Sequence, residues 1–375
     1  MHSRPRILGG IQKRNVHYEH DIHYVMQLCR WILKPIGIWH FVHSRSSQNK
    51  RLLPTTLIFT CISVLCFVLV PSGSYVLLRE KDIYVKVKLF GPIGFCLTSA
   101  VKYCFLGARG TAIGRCIEHV EDDWRIVRHA DHRNMMLKNV LVGRRLTTLC
   151  VLFLYTGGLS YHTIMPLSAK VKMNDSFTIR PLVYPGYDQF FDSQASPAYE
   201  IVFCMHCLSS VIQYTITTAA CSLAAIFATH ACGQVQILST LLNDVVDGKR
   251  NDENTTVEKR LRVITMHHVR VLRFTADVEE VLREICLMEL VAATLIICLL
   301  EFYCMMYSKI GSAAYEVNWY DLHGHKALDL KMIITISQYP PKLTAGKFCD
   351  LSLNTFSTVL KTSVVYLNLL RTVTE

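Results

Sequence analysis

The chain has 375 residues, of which 51% are hydrophobic and only 18% charged, with a positive mean hydropathy and a formal net charge of +11. That apolar content exceeds what a soluble globule usually carries, which argues against an ordinary soluble fold. The net charge points to nucleic acid only if its basic residues gather on one surface, so their placement along the chain decides their meaning.

Residues 1–51 are polar and basic and lack the short apolar core and small-residue cleavage site of a secretory signal, so they read as a cytoplasmic segment ahead of a first span that stays in place. Within them, residues 25–39 have helical spacing and carry Trp31 and Trp39, which suits a segment on the membrane surface and equally an ordinary packed helix. Uncharged runs then recur at lengths near the roughly 20 residues that a bilayer requires. Spans are expected at residues 52–77, 89–106, 146–166, 199–228, 285–308 and 347–371. Pro54 and Pro71 lie near the ends of the first span, and Lys102 in the second has a stem long enough to snorkel toward the inner surface. Residues 107–145 form a polar stretch with one helix expected over 111–142, and residues 229–284 read as cytoplasmic helices with a turn at Asp247-Gly248. Residues 167–198 form a loop rich in proline and tyrosine, and residues 309–346 separate the fifth span from the last. The predicted fold class is an all-α, polytopic membrane bundle with about six spans.

Lysine and arginine alternate with these spans: nine fall in residues 1–51, eight in 107–145, three in 168–200 and eight in 231–283. By the positive-inside rule the N-terminus is cytoplasmic, and the loop holding the sequon Asn174-Asp175-Ser176 is extracellular, with Asn174 a glycosylation candidate. A second sequon at Asn254 falls on the cytoplasmic side and is expected to be silent. The basic balance is therefore orientation, and no nucleic-acid partner is expected. Most of the 15 cysteines, Cys61, Cys96, Cys150 and Cys221 among them, sit in apolar runs where a thiol packs as a small hydrophobe. Cys204 and Cys207 have CxxC spacing, but one pair without a second is weak support for a metal. No motif for a cofactor, a metal or a nucleophile is present, and His267-His268 and His323-Gly324-His325 read as histidines of polar loops. The enzyme class is excluded on that ground.

The closing stretch carries the most information. From Leu351 to Leu370, Asn354, Thr358, Lys361 and Asn368 recur on one helical face, while Leu353, Phe356, Leu360, Val364 and Leu367 take the other. A lysine at the bilayer centre costs roughly 2.5–3.5 kcal/mol on insertion scales, so the stripe either lines water or packs against protein. A pore is the sharper case, since a ring of such helices would set Lys361 in water. Periodicity alone leaves polar packing between helices open.

Several stretches together resemble the insect odorant receptors, in particular the large branch of ants, bees and wasps. They are RWILKPIGIW from Arg30, KYCFLGAR from Lys102, IEHVEDDWR from Ile117, IRPLVYPGYDQFFDSQASPAYEIVF from Ile179, THACGQVQIL from Thr229, NWYD from Asn318 and LTAGKFCDLSLNTFSTVLKTSVVYLNLLR from Leu343. The resemblance implies a seven-helix subunit of an odorant-gated, non-selective cation channel. Its partner would be a shared co-receptor in a heterotetramer, in the plasma membrane of an olfactory dendrite, with the N-terminus cytoplasmic and a small volatile ligand. It implies pore positions at Asn354, Thr358, Lys361, Val365, Asn368 and Leu369, the last two at the outer constriction. It places odorant contacts at Phe90, Phe95, Tyr155, Gly158, Tyr161, Phe203, Met205 and Ser209, each of which also suits core packing.

One departure stands out. Ile285 to Ala314 supplies 30 residues where two crossings and a turn need about 45. Relative to the family, most of the sixth span is missing near Met306-Tyr307, as a skipped exon or an incomplete gene model would leave it. Three readings follow: a receptor subunit, a non-conducting or interfering version of one, and a solute transporter, which lacks support because no inverted repeat is visible.

Overall fold

The computed structural model describes residues 15–42, 52–127, 129–168, 171–174, 177–247, 256–317, 325–337, 344–345, 349–350 and 352–374. Residues 1–14, the sequon residues Asp175 and Ser176, Asn254, the NWYD stretch and His323 fall outside them. The architecture is helical: α1 (Tyr18–Leu33), α2 (Ile38–Val42), α3 (Leu52–Ser74), α4 (Ile83–Ala108), α5 (Gly110–Ile126), α6 (Ala130–Ser168), α7 (Ala198–Asp247), α8 (Val257–Glu316), α9 (His325–Ser337) and α10 (Leu353–Thr374). Two small antiparallel ladders interrupt them, β1 (Val171–Asn174) with β2 (Phe177–Ile179), and β3 (Thr344–Ala345) with β4 (Cys349–Asp350). Among the described residues, α3 with its π-helical extension to Arg79, α4, α6, α7 and α8 are long and apolar enough to cross a bilayer.

The described chain divides into two compact units, Met1–Lys81 with Pro92–Cys286, and Asp82–Gly91 with Leu287–Glu375. In the first, α6 and α7 form the most extensive pairing, and α1 and α3 also pack on α7. The core follows from sequence spacing: Val25, Met26, Cys29 and Leu33 recur on one face of α1, and Ile113, Ile117, Val120 and Trp124 on one face of α5, all buried. Leu65, Val68, Leu106, Ile216, Leu223 and Phe227 complete it from α3, α4 and α7.

The single helix expected over residues 111–142 is in fact two. Asn15 explains the break: its amide Nδ2 donates to the Trp124 carbonyl (3.2 Å) and its backbone N–H to the Arg125 carbonyl (3.2 Å). Carbonyls of the last turn of α5 are thereby satisfied, Val127 turns extended, and α6 starts afresh at Ala130.

Two buried carboxylates fix the polar layer of this unit. Asp21 is 1% exposed and takes a two-pronged ion pair from Arg133 of α6 (Nε to Oδ2 2.6 Å, Nη2 to Oδ1 2.7 Å). Burial opposes its charge, but Arg133, Asn15 and His20 outweigh that and hold the carboxyl below its usual range. Asp123 of α5 accepts a hydrogen bond from His230 of α7 (3.0 Å) and pairs with Arg270 of α8 (2.5 Å). Burial again opposes the charge, while His230, Arg270 and His119 outweigh it and lower the pKa. His119 packs on the Phe274 ring at 5.0 Å, and burial keeps its imidazole below the ordinary histidine range despite the nearby Asp123. His267, expected in a loop, lies on α8, its Nε2 3.3 Å from the Gln234 carbonyl.

Lys102 does not snorkel. It is 1% exposed and donates to Thr217 Oγ1 at 3.0 Å, with the Phe95 ring 5.8 Å away, because α7 presents a hydroxyl where the stem would otherwise run outward.

In the second unit, α10 puts Asn354, Thr358, Lys361, Val365 and Asn368 on exposed positions. At 3.6 residues per turn these five span an arc of about 80°. Leu360 and Val364, on the expected apolar face, are exposed as well. The 13 residues of α9 rise about 20 Å, less than a hydrocarbon core of about 30 Å.

Candidate functional site

Within the first unit, α4, α6, α7 and the loop before α7 meet in a buried network of aromatic rings, imidazoles and hydroxyls. At its centre the Tyr214 ring contacts Phe95 of α4 (5.7 Å) and Tyr155 of α6 (6.0 Å). Gly158 of α6 makes that possible, since a Cβ there would overlap the Tyr214 ring. The Tyr214 hydroxyl lies 2.9 Å from His162 Nδ1, which is also 3.0 Å from the Gly158 carbonyl. A carbonyl only accepts, so Nδ1 carries the proton and Nε2 accepts from the Tyr184 hydroxyl at 3.3 Å. Tyr155 and Thr215 share a hydroxyl hydrogen bond of 2.6 Å.

The loop expected to be extracellular sends two tyrosines inward. Tyr184 and Tyr187 are 1% and 2% exposed, so the segment plugs the helices. Tyr187 donates to the Phe67 carbonyl (3.1 Å) and receives His206 Nε2 at 3.1 Å. Burial raises the pKa of both phenols, which keeps them neutral donors. His206 Nδ1 is buried with no hydrogen-bond partner among the described residues.

Of the residues proposed from sequence as ligand contacts, Phe95, Tyr155 and Gly158 converge on Tyr214, and Tyr161 touches His162 ring to ring at 5.3 Å while staying 40% exposed. Ser209 is fully buried and accepts from Gln213 Nε2 at 2.9 Å. Met205 packs on the hydrophobic core, Phe203 stacks on Tyr199 at 6.2 Å, and Phe90 is exposed on its own part of α4. Asn174 closes β1. Cys204 and Cys207 are free thiols, and among the described residues no three His, Cys, Asp or Glu gather closely enough to hold a metal ion. Sequence reasoning missed His162, His206, Tyr184, Tyr187 and Tyr214. The usable signal was the ionisable ring inside an apolar span, above all the histidine at the middle of Cys-Met-His-Cys, which was read only for its cysteines.

The 7tm odorant receptor family matches residues 86–312 and 304–364. The chain belongs to this family. It is 24% identical to Odorant receptor 13a of Drosophila melanogaster across 52% of this chain and 62% of that one, and 24% identical to Odorant receptor 10 of Aedes albopictus across 52% and 61%. The chain thus spans about three-fifths of the length of these relatives. The insect olfactory receptor OR5 of Machilis hrabei shares its fold, with a TM-score of 0.57 at 14% identity over 94% of this chain and 99% of that one. The same receptor in complex with eugenol gives a TM-score of 0.58 at 13% identity, over 95% and 100%. The chain is therefore a multi-pass membrane protein of the odorant receptor family.

Proposed function

We propose that the chain is an odorant receptor subunit whose family role is to detect small volatile compounds and, with a shared co-receptor in a heterotetramer, to gate a non-selective cation pore in the plasma membrane of an olfactory dendrite. The N-terminus is cytoplasmic in this reading, as the alternation of basic residues argues. The observation that carries it is that Asn354, Thr358, Lys361, Val365 and Asn368 fall within one arc of α10, four of the five polar, as on a helix that faces water between subunits. Leu369, next along the chain after Asn368, is the remaining pore position of this reading.

The ligand would enter the network around Tyr214. A small, mostly apolar molecule with one polar group suits rings plus a few hydroxyls and the open His206 Nδ1. That the Machilis receptor was solved with eugenol, a volatile phenol, supports a ligand of this kind. A ligand seated over Gly158 would have to displace the Tyr214 ring, which is a means of coupling occupancy to helix position.

A specific observation favours the second reading, in which this form assembles without conducting. The family match falls into two stretches meeting at residues 304–312, where the sequence runs short of a span. The test is to express this chain and a version with the sixth span restored, each with the co-receptor. Volatile-evoked cation current from the restored version supports the proposal, and co-purification without current from the present form supports the second reading. Silence of the restored version across a broad volatile panel, despite surface expression, contradicts the channel role.

A further inference from the structure

Along the outer face of α1 runs a groove of about 530 Å3, walled by α1, by Trp39 of α2 and by Glu121 of α5. At its C-terminal end Arg30 and Lys34 stand one turn apart with Trp31 between them, and Trp31 is 64% exposed. Among the described residues neither Arg30 nor Lys34 has an ion-pair partner, although Arg133, Arg109 and Arg125 of the same unit all do. Glu19 and Glu121 balance the two cations, so the formal charge of the lining is zero with His23 neutral.

The depth of this groove is fixed by its neighbours. Gly37, which ends the turn after α1 with φ +78°, lies against the first turns of α3: a Cβ there would stand 3.0 Å from the Pro54 carbonyl oxygen and 3.2 Å from Ile58. Tyr103, near the end of α4, donates to the Ile36 carbonyl at 2.6 Å. The turn therefore packs against the ends of two helices long and apolar enough to cross a bilayer, which would set it in the interfacial layer where tryptophans and headgroups lie.

We infer that this groove is a binding site for a zwitterionic phospholipid headgroup of the phosphocholine type. Arg30 and Lys34 would hold the phosphate by charge-assisted hydrogen bonds, and the Trp31 and Trp39 faces with Glu121 would hold the quaternary ammonium. A polyanionic headgroup fits less well, because the carboxylates cancel the excess positive charge it requires. The site stands apart from the odorant network and does not depend on channel activity.

The test uses the purified full chain in detergent, with a short-chain phosphatidylcholine, a short-chain phosphatidylglycerol and free phosphocholine as probes, read by native mass spectrometry. The phosphatidylcholine should be retained, and Arg30→Gln with Lys34→Gln should weaken it by about tenfold while thermal unfolding is unchanged. Free phosphocholine should bind at least about tenfold more weakly than the lipid, since it lacks acyl chains to bury. As a measurement independent of the variants, a phosphatidylcholine with a photoreactive headgroup should label the peptide from Arg30 to Trp39. Equal retention by the double variant, phosphatidylglycerol binding as tightly, free phosphocholine binding as tightly as the lipid, or labelling only elsewhere overturns the assignment.

Discussion

α7 and the apolar part of α8 draw on similarly apolar composition and end in opposite surroundings. Of an 18-residue apolar stretch in α7, 72% is buried, against 6% in α8. The difference lies in side-chain size. α7 carries Ser209, Ser210, Thr217, Thr218, Ala219, Ala220 and Ser222 at buried positions, small residues whose hydroxyls and short stems let neighbouring backbones close in. α8 presents Leu287, Leu290, Val291, Leu295 and Ile296, all at least 42% exposed, which suits lipid or another subunit. Hydropathy identifies both as spans, and only the small-residue pattern tells which one the bundle is built around.

The sharpest way to break this contrast is to make similar truncations in both helices. Phe227→Ala in α7, at a fully buried ring, should cost about 3–5 kcal/mol, while Leu295→Ala in α8 should stay within about 0.5 kcal/mol, compared by thermal unfolding of the solubilised chain. Equal losses would erase the distinction. Asp123→Ala should follow at about 3 kcal/mol, because it strands His230 and Arg270 against a buried site, and the same unfolding assay reads it.

A smaller effect concerns acid. The His119 pKa is lowered in the folded protein, so between its folded and unfolded values the unfolded chain binds more protons, and stability falls as pH drops below the unfolded value of about 6.5. Asp21 and Asp123, also lowered, give stability that is complete above the unfolded carboxylate value near 3.9 and is lost as pH falls through their folded values. A melting profile from pH 7 to 5 should therefore decline, and His119→Gln should flatten it. The smallest effect belongs to the network around Tyr214: Tyr214→Phe removes one hydrogen bond to His162 and should cost about 1 kcal/mol.

The apolar runs made readable five helices long and apolar enough to span, and 3.6-residue spacing puts the polar residues of α10 on one arc, because both are local patterns. The break after α5 was not, since it depends on Asn15, more than 100 residues away in sequence. Nor was the inward turn of Tyr184 and Tyr187, which a proline-rich loop composition disguises and which only their partners His162 and His206 explain. Lys102 was misread for the same reason: the partner that lets it stay buried is Thr217 on another helix.

The central claim is that the arc of α10 faces an aqueous path between subunits. Cysteines placed singly from Asn354 to Asn368, in the chain expressed with the proposed co-receptor, can be scored by site-resolved mass spectrometry after exposure to a membrane-impermeant thiol reagent. The account predicts strong labelling at 354, 358, 361, 365 and 368 and little at 360 and 364. Uniform labelling, or labelling concentrated on 360 and 364, would contradict it.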